Sequence, residues 1–360
     1  MGRRFPRMPA IVLCTLLLVA SFALSGCGDA RTASLFPAPV DGKWGYIDRT
    51  GQMVIEPAFD SALPFSYGLA VVIVNDQAGY IDDTGKIVIQ PQFYRARGFS
   101  DGLASAGRYE AGVFQEGYID KTGAKISRDF DEAEPLREGF GLVRLGDKWG
   151  YVDKTGEIAI PIHFYSADIF SEGLASVRLP DNLANSGYID KTGAFVIQPQ
   201  FGLAQPFSEG LAAVTLPSSD GTGYIDKAGA VVIQPQFDMA LAFSEGLAVV
   251  GMGTKDAIVD EATGAMMPAY GFKKYAYIDK AGKTVIQGEF EDAYSFSDGR
   301  ARVALSGKYG YIDKTGAVAI PAEFDIAYDF SDGLALVCRD RQAGKWAYVD
   351  TTGKMVWTAK

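Results

Sequence analysis

A seven-residue phrase, GYIDKTG, occurs at Gly117–Gly123 and again, unchanged, at Gly187–Gly193. Its tyrosine recurs nine times at spacings of 33 to 38 residues, apart from one spacing of 53, at Tyr46, Tyr80, Tyr118, Tyr151, Tyr188, Tyr224, Tyr277, Tyr311 and Tyr348. Self-similarity at such a period is typical of repeat proteins, in which one unit buries its apolar face only against its neighbours. We therefore predict an array of stacked small units rather than conventional domains.

A second phrase, FSDGLA or FSEGLA with variants, follows each of the first eight tyrosines. The distance from the tyrosine to the glycine of this phrase is 22 residues in seven copies and 21 in one, whereas the distance from that glycine to the next tyrosine varies from 12 to 31. Insertions are tolerated in surface loops, so nearly all length variation is predicted to lie in one set of exposed loops.

The unit itself, exemplified by residues 224–250, has the pattern of three short strands. Pro235 is predicted to stop the second strand, because proline cannot donate to a ladder. The fold class predicted is all-β, a tandem array of three-stranded antiparallel units forming an open, solenoid-like structure, with a closed β-propeller as the alternative. Nine hairpins against eight third strands favour the open array.

The repeated phrase also predicts its own hairpin turn. Aspartate is favoured at the first position of a type I turn, and glycine supplies the left-handed residue of a three-residue hairpin loop with a G1 bulge. Both residues are present in every copy, and the structural turn pairs are Asp48 and Gly51, Asp82 and Gly85, Asp120 and Gly123, Asp153 and Gly156, Asp190 and Gly193, Asp226 and Gly229, Asp279 and Gly282, Asp313 and Gly316, and Asp350 and Gly353.

Two copies depart from the pattern. In residues 118–139 the apolar second strand becomes Lys-Ile-Ser-Arg and one residue is missing, which predicts a weak, mobile unit. Residues 251–275 fill the long spacing, and we interpret them as a degenerate extra hairpin or a projecting loop with a unique contact surface.

The first forty residues have a different character. Arg3, Arg4 and Arg7 precede an uncharged apolar run and the ending Leu24-Ser25-Gly26-Cys27, the pattern of a secretory signal. This ending resembles a bacterial lipobox, which implies cleavage before Cys27 and lipid attachment to that residue. The predicted divisions are a signal peptide at residues 1–26, a lipidated tether at 27–40 and the repeat array at 41–357.

The repeats resemble the bacterial WG-repeat family. Trp44-Gly45-Tyr46-Ile47-Asp48 and Trp149-Gly150-Tyr151-Val152-Asp153 match its signature, as do the Thr-Gly turn and the Phe-Ser-Asp/Glu-Gly-Leu-Ala phrase. The resemblance extends over about residues 41–357 and implies an all-β repeat protein, often exported or surface-linked, without known catalytic residues. Most copies here lack the tryptophan.

No motif in the chain indicates catalysis. Asp83-Thr84-Gly85 spells the aspartic-protease triplet but is one of nine equivalent turns, and His163 is the sole histidine. Cys338 alone remains beside the lipidated and signal-peptide cysteines, so no catalytic residue, cofactor or metal site is predicted. The formal charge of −10 argues against nucleic-acid binding.

The tyrosines allow two interpretations. They are either an exposed aromatic strip that stacks on cell-wall sugars or the buried spine of the core. The candidate binding strip comprises Tyr46, Tyr80, Tyr118, Tyr151, Tyr188 and Tyr224.

Together these features predict a non-catalytic, monomeric lipoprotein exported to the cell envelope, at the outer membrane or the outer face of the cytoplasmic membrane. We expect its loops to bind another envelope protein. The alternative is a carbohydrate- or peptidoglycan-binding wall module.

Overall fold

The structure, a computed structural model, describes residues 34–217, 219–254, 258–259, 266–267 and 272–359. The predicted signal peptide and Cys27 lie outside the described residues. Within them the secondary structure consists of 36 β-strands, and no helix there has the length and hydrophobicity needed to cross a membrane.

The strands form nine small antiparallel sheets, here called blades 1 to 9, and a separate two-residue pair. Their bounds, blade by blade, are β1 (Phe36–Val40), β2 (Lys43–Ile47) and β3 (Met53–Phe59); β4 (Ser61–Ala62), β5 (Ala70–Val74), β6 (Gln77–Ile81) and β7 (Ile87–Phe93); β8 (Arg95–Ala96), β9 (Ala104–Glu110) and β10 (Val113–Ile119); β11 (Glu132–Ala133), β12 (Gly141–Leu145), β13 (Lys148–Val152) and β14 (Ile158–Phe164); β15 (Ser166–Ala167), β16 (Ala175–Arg178), β17 (Ser186–Ile189) and β18 (Phe195–Phe201); β19 (Leu203–Ala204), β20 (Ala212–Thr215), β21 (Thr222–Ile225) and β22 (Val231–Phe237); β23 (Met239–Ala240), β24 (Ala248–Thr254), β27 (Phe272–Ile278) and β28 (Thr284–Gly288), with the pair β25 (Ile258–Val259) and β26 (Met266–Met267) between them; β29 (Asp292–Ser297), β30 (Arg300–Leu305), β31 (Lys308–Ile312) and β32 (Val318–Phe324); and β33 (Ile326–Ala327), β34 (Leu334–Cys338), β35 (Trp346–Asp350) and β36 (Met355–Thr358).

A complete blade has four strands, one more than predicted. The additional strand lies in the segment interpreted as a connector: in blade 6, β19 has two residues and pairs with β20, which pairs with β21, which pairs with β22. A strand of two residues is too short to show an alternating pattern that could be recognised in the sequence. We refer to these positions as the first, second, third and fourth strands of a blade.

The nine blades form a closed ring, a nine-bladed β-propeller. The all-β prediction is confirmed, and the arrangement is the predicted alternative; the preferred open array is wrong. Nine apolar clusters lie between the blades, and each joins one blade to the next. The ninth joins Phe36, Ala38 and Ile47 of blade 1 to Leu334 and Tyr348 of blade 9.

The error in the strand count comes from β1. Phe36–Val40 pairs with the first hairpin strand and fills the place that the FSDGLA segment fills elsewhere, so nine second strands accompany nine hairpins. It lacks that phrase and contains two prolines, which made it resemble a tether. The predicted tether boundary at residue 40 is therefore wrong, because the folded body already includes β1.

The two prolines of β1 lie on the strand edge of blade 1. The described strands of blades 1 and 9 form separate sheets, so the ring closes by packing of these two blades and not by a shared strand. In blade 2, Leu63 N–H donates to Val71 O at 3.0 Å and Asp60 N–H donates to Ile73 O at 2.8 Å, so Val71 and Ile73 direct their polar groups to the short first strand. The described part of blade 1, which begins at residue 34, contains no first strand, and the matching positions on β1 are Pro37 and Pro39. Proline presents no N–H there, which blunts an otherwise open strand edge.

The hairpin turns have the geometry that their sequence predicts. All nine glycines have φ between 79° and 86°. In every copy the aspartate Oδ1 accepts the backbone N–H two residues ahead at 2.8–3.0 Å. It also accepts the N–H four residues ahead at 2.9–3.3 Å. In seven copies a threonine hydroxyl joins this network, and the hydrogen bond from Thr192 lowers the pKa of Asp190.

The turn glycines have a second role that the sequence did not reveal, because they pack against the preceding blade. A Cβ on Gly282 would lie 2.9 Å from Ile233 Cγ2 of the blade before it, and one on Gly229 would lie 3.1 Å from Ile197 Cγ2. The turn therefore sets both the hairpin and the spacing between blades.

We predict that Gly282→Ala destabilises the protein more than Gly246→Ala. Both glycines have positive φ, at 79° and 89°, but a Cβ on Gly246 meets nothing within 4 Å. Backbone strain alone should cost Gly246→Ala about 1–2 kcal/mol, and overpacking against Ile233 should add about 1–3 kcal/mol for Gly282→Ala. Urea unfolding of the two variants measures the difference, and equal losses would show that the inter-blade contact contributes nothing.

The two irregular repeats correspond to local departures in the ring. Blade 3 has three strands, because residues 125–130 contribute only the isolated bridges Ile119–Lys125 and Glu116–Phe130 where a fourth strand is expected. In the long insertion, Ile258 pairs with Met267 and Val259 with Met266, which fits the extra hairpin. Its residues 255–257, 260–265 and 268–271 lie outside the described residues.

The ring has two faces with different loops. The turns between first and second strands and the Asp-Gly hairpins between third and fourth strands lie on one, the constant-loop face. The connections between second and third strands, which hold the length variation, and those from one blade to the next lie on the other, the variable-loop face. This division follows from the antiparallel strand order of every complete blade.

Candidate functional site: the two faces of the ring

The repeated tyrosines are the buried spine of the ring. The six members of the candidate strip are at most 1% exposed, so an exposed stacking strip is wrong and they present no ring face to a ligand. All nine hydroxyls donate to a backbone carbonyl of the next blade at 2.5–2.9 Å. Burial raises the pKa of every one of them above the ordinary tyrosine value.

The last tyrosine closes the ring by the same kind of bond. Each earlier acceptor lies 16 or 17 residues ahead, as in the bond from Tyr224 to Leu241 O. The hydroxyl of Tyr348 donates instead to Pro37 O of blade 1 at 2.9 Å. In blade 2 the equivalent carbonyl, Val71 O, accepts a backbone N–H from the first strand. The hydroxyl of Tyr348 thus takes the place that the Leu63 N–H has in blade 2.

The constant-loop face carries a series of inter-blade ion pairs. The acidic residue of the FSDG or FSEG turn has left-handed φ of 51–54°. Six of these acids accept the N–H of the matching glycine in the next blade, as Glu172 does from Gly210 at 3.0 Å. Acids at this position also contact the cation of the next hairpin, as in the pairs Lys154–Asp101, Lys191–Glu138, Lys227–Glu172, Lys280–Glu209, Lys314–Glu245 and Arg49–Asp332. These acids therefore serve the contact between blades, which accounts for their recurrence.

Acidic residues have a structural role on the variable-loop face as well. At the connection between blades, a carboxylate accepts a backbone N–H from the turn that follows the second strand, as Asp60 does from Asn75 at 2.8 Å and Asp131 from Gly146 at 2.6 Å. Asp238, Glu291 and Asp325 make equivalent bonds. The short loops of this face are thus fixed by the connections beneath them.

One such position is occupied by an aromatic residue and is surrounded by others. Tyr94 stands where the acid is expected, and its ring lies 5.0 Å from that of Tyr109 and 5.8 Å from that of Phe114, which are themselves 5.4 Å apart. Tyr94 is 61% exposed and Tyr109 55% exposed. We call Tyr94, Tyr109 and Phe114, with Arg95 and Arg108, the aromatic–arginine cluster.

The arginines of this cluster lie against its aromatic rings. The Arg95 guanidinium is 5.3 Å from the centre of the Phe114 ring, and the Arg108 guanidinium is 5.4 Å from that of Phe93. Arg95 also pairs with Glu116 at 3.1 Å, a nearly fully buried carboxylate that accepts Ala133 N–H at 2.9 Å as well. Such stacking holds the guanidinium planes while leaving other N–H groups at their edges.

Sequence reasoning missed this cluster. Strands β9 and β10 have seven residues each, whereas β5 and β6 of the neighbouring blade have five, so the hairpin of blade 3 projects further. Phe114 covers Gly107, where any Cβ would meet the ring at 2.5 Å. The available signals were the long 16-residue spacing and Tyr94 in place of an acid, but neither brings three aromatic residues together without the strand register.

The other residues singled out in the sequence have structural surroundings. His163 Nδ1 lies 2.8 Å from Pro161 O, and Cys338 is buried in β34. Asp82 accepts the turn bonds of its hairpin as its equivalents do. The part of the chain that the structure describes contains no group of His, Cys, Asp or Glu side chains arranged to hold a metal ion.

A groove of about 630 Å³ lies at the seam between blades 9 and 1, lined in part by Met53, Pro57, Val356 and Trp357. It arises because β36 ends after four residues, whereas the fourth strands of blades 2 and 4 have seven.

Known proteins support the fold assignment. A family model described as "WG containing repeat" matches residues 44–77, 79–106, 117–149, 149–182, 187–216, 223–255, 275–309 and 309–346. No curated protein sequence matches the chain.

Two solved structures are similar to this chain. A crystal structure of a eukaryotic initiation factor is 12% identical, with a TM-score of 0.62 over 92% of this chain and 98% of that one; at this identity the likeness concerns the fold alone. Hsv2 of Kluyvelomyces marxianus is 8% identical, with a TM-score of 0.40 over 79% of this chain and 93% of that one, too low to carry an argument.

Proposed function

The chain belongs to the WG-containing repeat family, and from that premise we propose that it is a non-catalytic scaffold of the cell envelope, lipid-anchored at Cys27, that binds a partner protein through its variable-loop face. The observation that carries this proposal is the aromatic–arginine cluster. Exposed tyrosines beside arginines are the residues that dominate binding energy at protein interfaces.

The use of acidic residues supports a non-catalytic role. General acids and bases act from a site where a substrate proton is within hydrogen-bond reach. The recurring aspartates and glutamates of this chain instead bond turns and neighbouring blades on both faces, as do Asp190, Glu172 and Asp60. The recurring carboxylates therefore hold turns and neighbouring blades in place.

Rigidity in turn suits binding. Loops held by a stiff body lose little conformational freedom when a partner docks, which favours affinity. The constant spacing of the blades and the carboxylate hydrogen bonds beneath the short loops make the body of the ring stiff. The different lengths of the loops make the surface of one blade differ from that of the next.

The rival function is binding of a cell-wall glycan, which the exposed tyrosine rings of the cluster also suit. The geometry favours a protein, because the Tyr94 and Tyr109 rings are inclined at 77° to one another and present no common flat platform for a sugar chain. Perpendicular rings fit the uneven surface of a folded partner better.

Photo-crosslinking tests the proposal. A benzophenone side chain at position 109 of the full-length protein in its native envelope should form an adduct with one partner protein. The same group at Val318, which is exposed on a fourth strand, is the matched control and should not capture that protein. Adducts with peptidoglycan alone, or equal capture from both positions, would refute a protein-binding face.

Once that partner is purified, Tyr109→Ala should weaken its binding about 30-fold, since hot-spot side chains contribute about 2 kcal/mol or more. Val318→Ala should leave the dissociation constant unchanged. Titration calorimetry with both variants gives the comparison, and an unaltered affinity for Tyr109→Ala would remove the cluster from the interface.

A further inference from the structure

We propose that the constant-loop face of the ring is turned toward the lipid bilayer and that the variable-loop face points away from it. This orientation rests on the proposed lipid attachment at Cys27. It would leave the aromatic–arginine cluster free for a partner that approaches from the side opposite the membrane.

The first argument is the place where the chain joins the ring. Ser34, the first described residue, precedes β1, and β1 runs from the constant-loop face to the turn at Asp41 and Gly42 on the variable-loop face. The Ser34 hydroxyl lies 3.4 Å from an Asp332 carboxylate oxygen, and Arg49 donates to it at 3.5 Å. Both partners belong to constant-loop turns, so the chain leaves the ring at that face.

The second argument is the length of chain available. Cys27 and Ser34 are seven residues apart in sequence, a span of at most about 25 Å when fully extended. For a random-coil chain of seven residues, the mean end-to-end distance is roughly 15 Å. The lipid and the constant-loop turns are therefore close neighbours.

The opposite orientation would stretch this segment to its limit. To bring the variable-loop face to the bilayer, the chain would have to run along a whole blade, roughly 16 Å for a five-residue strand, and around its outer strands, which are about 4.8 Å apart. Those distances together exceed the relaxed span and reach the extended one. Conformational entropy opposes such extension.

The third argument is the chemistry of the constant-loop face beside the point of attachment. In blade 2, next to that point, Tyr67 occupies the turn position that holds Asp or Glu in the seven other copies. It has φ of 53° and is 43% exposed. Left-handed backbone costs a bulky residue about 1 kcal/mol of strain. Tyrosine is favoured at the boundary of a bilayer.

At this turn position the seven acids of the other copies do not form a row of free carboxylates. Six of them pair with a lysine or arginine of the adjacent blade. Neutralised pairs reduce the repulsion that an acidic protein would meet at an anionic surface.

Fluorescence quenching by lipid headgroups tests the orientation. Asp83→Cys places a label on the constant-loop face of blade 2, and Gln77→Cys places the matched label on the variable-loop face of the same blade; both positions are exposed. Cys338 is buried, and an acylated Cys27 has no free thiol, so labelling is selective. The lipidated protein, cleaved before Cys27, is reconstituted into phosphatidylcholine vesicles that contain a nitroxide-headgroup lipid.

We expect the label at position 83 to be quenched about threefold more strongly than that at position 77, because a strand length of roughly 16 Å separates them. Equal quenching, or stronger quenching at position 77, overturns the orientation. Intact mass of the same sample separates the two proposals: without a lipid adduct the anchoring fails and the orientation with it, whereas a lipid adduct with reversed quenching refutes the orientation alone.

Discussion

Tyr224→Ala is expected to lower the free energy of unfolding by about 4–5 kcal/mol, near the upper end of the range for large-to-small core substitutions. The side chain is fully buried, and its ring lies 4.9 Å from that of Phe243 in the next blade. Truncation removes this packing and leaves a cavity between two blades. Chemical denaturation followed by far-ultraviolet circular dichroism measures the loss.

Two matched variants identify the cause. Tyr224→Phe keeps the ring but removes the donor to Leu241 O, a bond of 2.7 Å, and should cost about 1 kcal/mol. Tyr165→Ala removes an exposed tyrosine of a blade connection and should change stability by no more than about 0.5 kcal/mol. If Tyr165→Ala were as harmful as Tyr224→Ala, the buried spine would not be the main source of stability.

A chain that ends at Lys354 should lose about 5 kcal/mol or more of its free energy of unfolding, because it lacks β36 and the contacts of that strand at the seam between blades 9 and 1. Trp357 packs on Tyr348 with ring centres 6.2 Å apart, and the seam cluster also includes Val356. Removal deletes these apolar contacts and the ladder bonds of β36. It also uncovers β35 as a new sheet edge.

The control for this truncation is a chain that ends at Ala359, which keeps β36 and its bond from Ala359 N–H to Trp346 O. Its unfolding midpoint should equal that of the full chain within error. A loss below about 2 kcal/mol for the chain ending at Lys354 would mean that the blade 9–blade 1 interface contributes little, as an open array would have it.

Much of this architecture could be predicted because the turn is a local property. Aspartate and glycine determine a hairpin through bonds within five residues, so all nine copies follow from the sequence alone, as Asp226 and Gly229 illustrate. The length variation could be assigned to one set of loops for the same reason. Local chemistry does not set how many strands a sheet has, and the two-residue first strands depend on a neighbour for their pairing.

Ring closure could not be predicted from the sequence, because it depends on a residue outside the repeated phrases. Pro37 accepts the Tyr348 hydroxyl across 311 positions of chain, and nothing near either residue indicates the other. The burial of the tyrosines is linked to the same fact: in a closed ring every third strand has a neighbour, so no member of the spine remains at a free end.

The aromatic–arginine cluster illustrates the same limit at the candidate site. Tyr94, between β7 and β8, is twenty residues from Phe114 in β10, and the two rings meet only because Gly107 leaves room for Phe114. A binding surface built on loops is specified by register and backbone space, which a single sequence does not display.

The distance between the two ends of the array tests the closed ring most directly. Spin labels at Gln52 and Lys354, in a Cys27→Ser background, report on blades 1 and 9 at equivalent exposed turn positions; labels at Ala194 and Ala230 report on the adjacent blades 5 and 6. By double electron–electron resonance, the 52–354 distance should equal the 194–230 distance within a few ångströms and be shorter than the 52–194 distance across the ring. A 52–354 distance longer than both would contradict the ring.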